Sequence, residues 1–140
     1  MRHAAGPRVD TERGSITPAA VMFSIVLLLI IGLVVDGGRK LNAVARAGDV
    51  AAQAAHAAAQ QLDAGTVLLG GGAIVDPAQA HAAGQAVLAA AGMTGEVVVD
   101  GDRVLVTATC SRPTAFLSLI NITTVQGTGS AEVRLATGGP

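Results

Sequence analysis

The sequence predicts an α+β protein built on one long N-terminal helix. That helix crosses a membrane, continues as a stalk and packs on a small head with one further helix and a three-stranded antiparallel sheet. Three observations predict it. Ile16 to Val35 has no charged residue. Helical periodicity then runs on to Leu62. Further along, two β-branched runs flank an Asp-Gly turn.

The apolar stretch comes first. As a helix it spans about 30 Å, the hydrocarbon thickness of a bilayer. A helix satisfies its own backbone in lipid, which suits a single transmembrane segment. A buried core helix would need apolar cover on every side, and the rest of the chain is short and alanine-rich. A cleaved signal peptide is the stronger rival, because Arg2, Arg8 and Arg13 precede the run. The run, however, exceeds the usual ~7–15 residues of such a core. The nearest small-residue site, Ala43-Val44-Ala45, lies beyond Asp36, Arg39 and Lys40. The expectation is an anchor. Thr17-Pro18 offers a hydroxyl cap followed by proline at the first helical position, where its missing N–H costs nothing, and Asp36 marks the interface at the far end.

Beyond the span, one helical face carries Leu41, Val44, Gly48, Ala51, Ala55, Ala58 and Leu62. Another carries Asn42, Arg46, Asp49, Gln53, His56, Gln60 and Asp63. The steps of three and four fit one helix with two faces. Small residues on the apolar face permit close backbone approach. Two uses are open: packing on the chain's own head, or contact between subunits. Asp63-Ala64-Gly65 is the expected end, giving a helix about 70 Å long.

Thr66 to Val75 is a glycine-rich link around Gly70-Gly71-Gly72, with no phosphate-loop lysine after it. Asp76-Pro77 starts a second helix over Ala78 to Ala91, ended by Gly92. Its expected apolar side is Ala80, Ala83, Val87 and Ala91. Glu96–Val99 and Arg103–Thr107 around Asp100-Gly101-Asp102 form a hairpin. The second strand extends to Cys110 and breaks at Ser111-Arg112-Pro113. Thr114 to Ile120 is a short helix or apolar loop. Ile122 to Leu135 is the third strand, with Gly127 and Gly129 as bulge or kink positions. The upper half of the long helix completes the core of so small a head. The expected division is a tail over 1–15, a transmembrane helix over 16–35, a helical stalk over 36–65 and an α+β head over 66–140.

Composition narrows the function. The net charge of −1 gives no basic surface for nucleic acid. The single cysteine, Cys110, excludes an intrachain disulfide and fits a small packed residue. His3, His56 and His81 fall apart in sequence. Asp49, His56 and Asp63 share a face at steps of seven, about 10 Å, too far for shared ligation. Ser15, Ser24 and Ser118 have no nucleophile-elbow context, and Asn121-Ile122-Thr123 fits a glycosylation pattern, but so short a motif arises often by chance. No catalytic constellation, cofactor site or metal site is found, so the expectation is not an enzyme. Charge does not orient the span: Arg2, Arg8 and Arg13 balance Arg39, Lys40 and Arg46.

These residues resemble a family. Glu12-Arg13-Gly14-Ser15 before the apolar span, Val34-Val35-Asp36-Gly37-Gly38-Arg39 at its end, Ala45-Arg46-Ala47 and Asp49-Val50-Ala51-Ala52 are similar to pilus-assembly proteins of the TadE/TadG type, from the tight-adherence (Flp pilus) machinery. So are the Pro113–Ile120 segment and Gly129-Ser130-Ala131-Glu132. The resemblance implies a pilin-like, non-enzymatic pseudopilin or minor component of a Tad/Flp pilus or secretion apparatus. Its tail would lie in the cytoplasm, its span in the cytoplasmic membrane and its head outside, with possible incorporation in a surface filament. The implied partners are other pilin-like or Tad-type assembly proteins and a prepilin peptidase. Family members cut by that peptidase are cleaved after a glycine, with glutamate at the fifth mature position. The matching cut here is Gly14–Ser15, and Ala19 stands at the fifth position. In a low-dielectric bundle that glutamate could pair with a neighbour's new amino terminus, and alanine cannot. Under this reading the face from Leu41 to Leu62 contacts other subunits. A different class of function fits the same architecture: an envelope protein, unrelated to pili, whose anchored head binds a ligand or extracellular partner.

Overall fold

The structure is a computed structural model and describes residues 16–68 and 76–135, with the backbone alone over 64–68. The expected tail, most of the glycine-rich link and the C-terminal Gly138-Gly139-Pro140 lie outside the described residues. Helix α1 runs over Ile16–Leu68 and α2 over Pro77–Ala90. Strands β1, β2 and β3 run over Thr94–Asp100, Arg103–Pro113 and Thr124–Arg134. A 3-10 turn over Leu117–Ile120 joins the last two.

The predicted α+β fold is present. Helix α1 already includes Ile16 and Thr17, so Thr17 is not its cap and Pro18 is not its first residue, and it continues through Gly37-Gly38 and through the expected stop at Gly65. Its membrane-length part and its upper part have different surroundings. Apart from Gly32, every residue from Ile16 to Val35 is exposed. The described residues therefore do not cover the most apolar segment, as a core helix would require. From Ala43 to Leu62 the same helix lies on the sheet and on α2. It supplies Ala43, Ala47, Val50, Ala51, Ala54, Ala55, Ala58, Ala59 and Leu62 to the core, over half of the buried apolar residues described. The upper part is thus a structural member of the head.

The sheet has the order β1-β2-β3, antiparallel throughout. Asp100 pairs with Arg103 around the predicted turn, where Gly101 adopts φ +58°. Val104, Val106, Ala108 and Cys110 alternate inward along β2 and are buried. The opposite face is open and carries the ion pairs of Glu132 with Arg103 and Arg134, at 3.2 and 2.9 Å.

Several local expectations change. Strand β2 does not break at Ser111-Arg112-Pro113, because Ser111 and Arg112 pair with Gln126 and Val125 and Pro113 closes the ladder opposite Thr124. Gly127 and Gly129 are not bulges. They keep regular register opposite Cys110 and Ala108. They are there because α1 presses on β3: a Cβ on Gly127 would strike the backbone of Ala43 and Val44, and one on Gly129 that of Gly48. Alanine buries little area, so this interface gains its contact from closeness instead of side-chain size.

Helix α2 starts as expected, with the Asp76 carboxylate accepting from the Ala78 amide at 2.9 Å. Its most buried face is Ala80, Gly84 and Leu88, with Val87 and Ala91 at the margin. It is therefore turned from the expected Ala80-Ala83-Val87-Ala91 face. Leu88 is the large side chain that sets the orientation.

Candidate functional site at the junction of span and head

The segment between β2 and β3 descends along α1 in three steps. Arg39 donates from its guanidinium to the Pro113 carbonyl at 3.0 Å. One turn lower, Asp36 Oδ1 accepts the Ala115 amide at 2.8 Å, and Oδ2 accepts those of Phe116 and Leu117 at 3.0 and 2.7 Å. One turn lower again, the Phe116 ring covers Gly32, where an added Cβ would sit 2.8 Å from Cγ. From Arg39 to Gly32 this covers about 10 Å of helix.

Asp36 is 1% exposed, the one buried charged residue described. Three backbone N–H groups replace the water it lost, which is the condition for burying a carboxylate. The Ala115 hydrogen bond does most to hold its carboxyl below the ordinary value of 3.8. Burial opposes that, while the Leu117 and Phe116 amides and the Arg39 charge add to the lowering. The same contacts cap the 3-10 turn, whose first amides would otherwise lack partners.

Beyond Phe116 the chain makes a closed lobe. Thr114 and Thr123 join its two ends, the Thr114 amide donating to the Thr123 carbonyl at 3.0 Å. Asn121 reverses the chain at φ 67°, and the Ile122 amide returns to the Leu117 carbonyl at 3.1 Å. The lobe's side chains point outward: Leu119 is 83% exposed and Ile120 66%. Between them and α1 lies an open apolar groove of about 480 Å³, walled by Ile25, Leu28, Leu29 and Leu33 on the helix side.

Sequence reading placed Asp36 at the interface and the lobe as a short helix or apolar loop, but did not join them. The signal was available in part: one acidic residue at the end of an apolar run, and one apolar run in the head. Nothing in sequence spacing links positions 79 to 81 apart.

The predicted subunit-contact face divides. Ala51, Ala55, Ala58 and Leu62 are buried within the chain, Gly48 is half-buried, and Leu41 and Val44 are exposed. The candidate cleavage residues Gly14 and Ser15 lie outside the described residues. Asn42, Arg46, Asp49, Gln53, His56, Gln60 and Asp63 are all exposed. Among the described residues no group of three or more His, Cys, Asp or Glu side chains is placed to hold a metal.

The class is thus an α+β head clamped to a helix long and apolar enough to cross a membrane. Residues 14–61 match the family described as Putative Flp pilus-assembly TadE/G-like. The match covers about a third of the chain, the apolar span and the helical segment that packs into the head. The match supports a pilus-related role, and the apolar helix fits membrane anchoring. No curated protein and no solved structure matches the chain.

Proposed function

We propose that the protein is a membrane-anchored structural component of a Tad/Flp-type pilus or secretion apparatus. The observation that carries this reading is the family match over residues 14–61, coincident with the exposed apolar helix. Residues 1–15 form a cytoplasmic tail, 16–35 span the cytoplasmic membrane and the head lies outside. Since α1 is part of the head, one continuous helix joins the span to the head. Contact with like or Tad-type subunits runs through the exposed part of the helix around Leu41 and Val44. A prepilin peptidase acts at Gly14–Ser15 if the protein enters a filament.

Deleting the gene should abolish surface pili, and expression of the full chain should restore them. Normal pili after deletion would overturn the reading. The intact mass of the membrane-extracted protein then separates two roles. A chain beginning at Ser15 is a processed pseudopilin, and one retaining its original start is a permanent anchor.

A further inference from the structure

We infer that the lobe Thr114–Thr123 enters the membrane beside the span, making a second contact of the head with lipid acyl chains. The inference rests on the reading of residues 16–35 as a membrane span.

Length is the first argument. The lobe and its groove flank α1 down to the level of Ile25. If the lobe stood in water, the bilayer would begin below Ile25. Between there and Ile16, where the described helix begins, only about 14 Å of helix would remain, against the ~30 Å of a hydrocarbon core. With the bilayer surface at the level of Asp36, residues 16–35 supply about 30 Å of helix and the part of the lobe below Asp36 lies inside.

The second argument is the lobe's surface. Phe116, Leu119, Ile120 and Ile122 are exposed on it, and they continue the apolar wall formed by Leu28, Leu29 and Leu33. A patch of this kind on a head facing only water would be costly. Directly above it, Arg39 and Arg112 line one polar depression with Asn42 and Pro113, with Lys40 next along the helix. That places cations at the level of lipid phosphates when the apolar lobe is at the level of acyl chains.

The third argument is backbone satisfaction. Irregular chain survives at membrane depth only where its polar groups find partners within the protein. The amides of Thr114 to Leu117 donate to Thr123 and Asp36, and those of Leu119, Asn121 and Ile122 donate within the lobe. The Ser118 and Thr114 hydroxyls donate to the carbonyls of Ala115 and Ile122. Buried Asp36 is what allows the entering strand of the lobe to leave water.

The test uses the full chain in vesicles of phosphatidylethanolamine and phosphatidylglycerol. In a Cys110→Ala background, Leu119→Cys, Leu29→Cys and Ser130→Cys are each labelled with an environment-sensitive fluorophore. Leu29 reports the span and Ser130 the open sheet face. The expected result is that a nitroxide-bearing lipid quenches the Leu119 label about as strongly as the Leu29 label, whereas aqueous iodide quenches only the Ser130 label. Iodide quenching at Leu119 with Leu29 still lipid-quenched would overturn the lobe inference and leave the anchor intact. Iodide quenching at Leu29 would overturn both. Shielding of Leu119 from both quenchers would show a protein occupant, such as a second copy's helix, and would also overturn the inference.

Discussion

Asp36 Oδ2 accepts the Leu117 amide hydrogen at 2.7 Å across 81 positions of sequence. Two more amides share the carboxylate. Asp36→Ala therefore leaves three N–H groups without an acceptor. Amide hydrogen exchange in micelles should show lost protection at Ala115, Phe116 and Leu117, with the central sheet unchanged. Asp36→Asn keeps one acceptor oxygen and turns an NH₂ toward the remaining donors, so its loss is intermediate. Full protection in the alanine variant would mean that the lobe stands without the clamp.

Acid should release the same clamp. The Asp36 carboxyl titrates below its ordinary value of 3.8, held there first by the Ala115 amide. A group with a lowered folded-state value stabilises in full above the unfolded value and loses that contribution as pH falls through the folded one. The Leu117 amide proton shift should move with a midpoint below 3.8. A midpoint above 3.8 would contradict the assignment.

Gly32 is needed because Phe116 lies on it. A methyl there would sit 2.8 Å from Cγ and 2.9 Å from Cβ of the ring. Gly32→Ala should loosen the lobe by about 1–3 kcal/mol of overpacking, set against up to about 1 kcal/mol of gained helix propensity. Combined with Phe116→Ala, it should cost less than the two single changes together, since the clash is gone. Denaturation in detergent, followed on lobe amide signals, measures the coupling. Strict additivity would show that the ring does not rest there in solution.

Much of the fold was legible because some signals are local. The apolar run, Asp76-Pro77 and the β-branched runs around Gly101 each fix an element from its own residues. The packed face of α1 was harder. Ala43, Ala47, Ala54 and Ala59 are as buried as Ala51, Ala55 and Ala58, and a helix so rich in alanine has several equivalent small-residue stripes. What chooses among them is β3, whose Gly127 and Gly129 admit the backbone at Ala43, Val44 and Gly48. Read within the strand, those glycines suggested bulges. The Asp36 clamp escaped for the same reason, since its partners are backbone amides, which leave no trace in side-chain identity.

That close approach gives a contrast between glycines. Gly129→Ala places a methyl against the Gly48 backbone, and neither backbone can yield without parting helix from strand. It should destabilise the head by on the order of 3 kcal/mol. Gly38→Ala meets nothing within 4 Å and should stabilise by up to about 1 kcal/mol through helix propensity. Chemical denaturation of both variants in the same detergent would check the ordering. Equal effects would mean that α1 and β3 are further apart than described.

Leu41 and Val44 are the positions to alter when testing subunit contact. Ala51 and Ala55 are fully buried, so a leucine at either disrupts the head's core and confounds folding with assembly. Leu41 is 73% exposed and Val44 40%, and neither is a described member of the buried core. Leu41→Glu with Val44→Glu should leave folding within about 1 kcal/mol of the parent, as surface changes usually do. It should also leave the amount in the membrane unchanged. If these side chains meet another subunit, the charges are buried without partners on assembly and pili should be lost or sharply reduced. Electron microscopy of complemented deletion cells counts the pili, and thermal unfolding in detergent verifies the fold. Normal pili with a folded double variant would exclude this face as the subunit contact and move the search to the open side of the sheet.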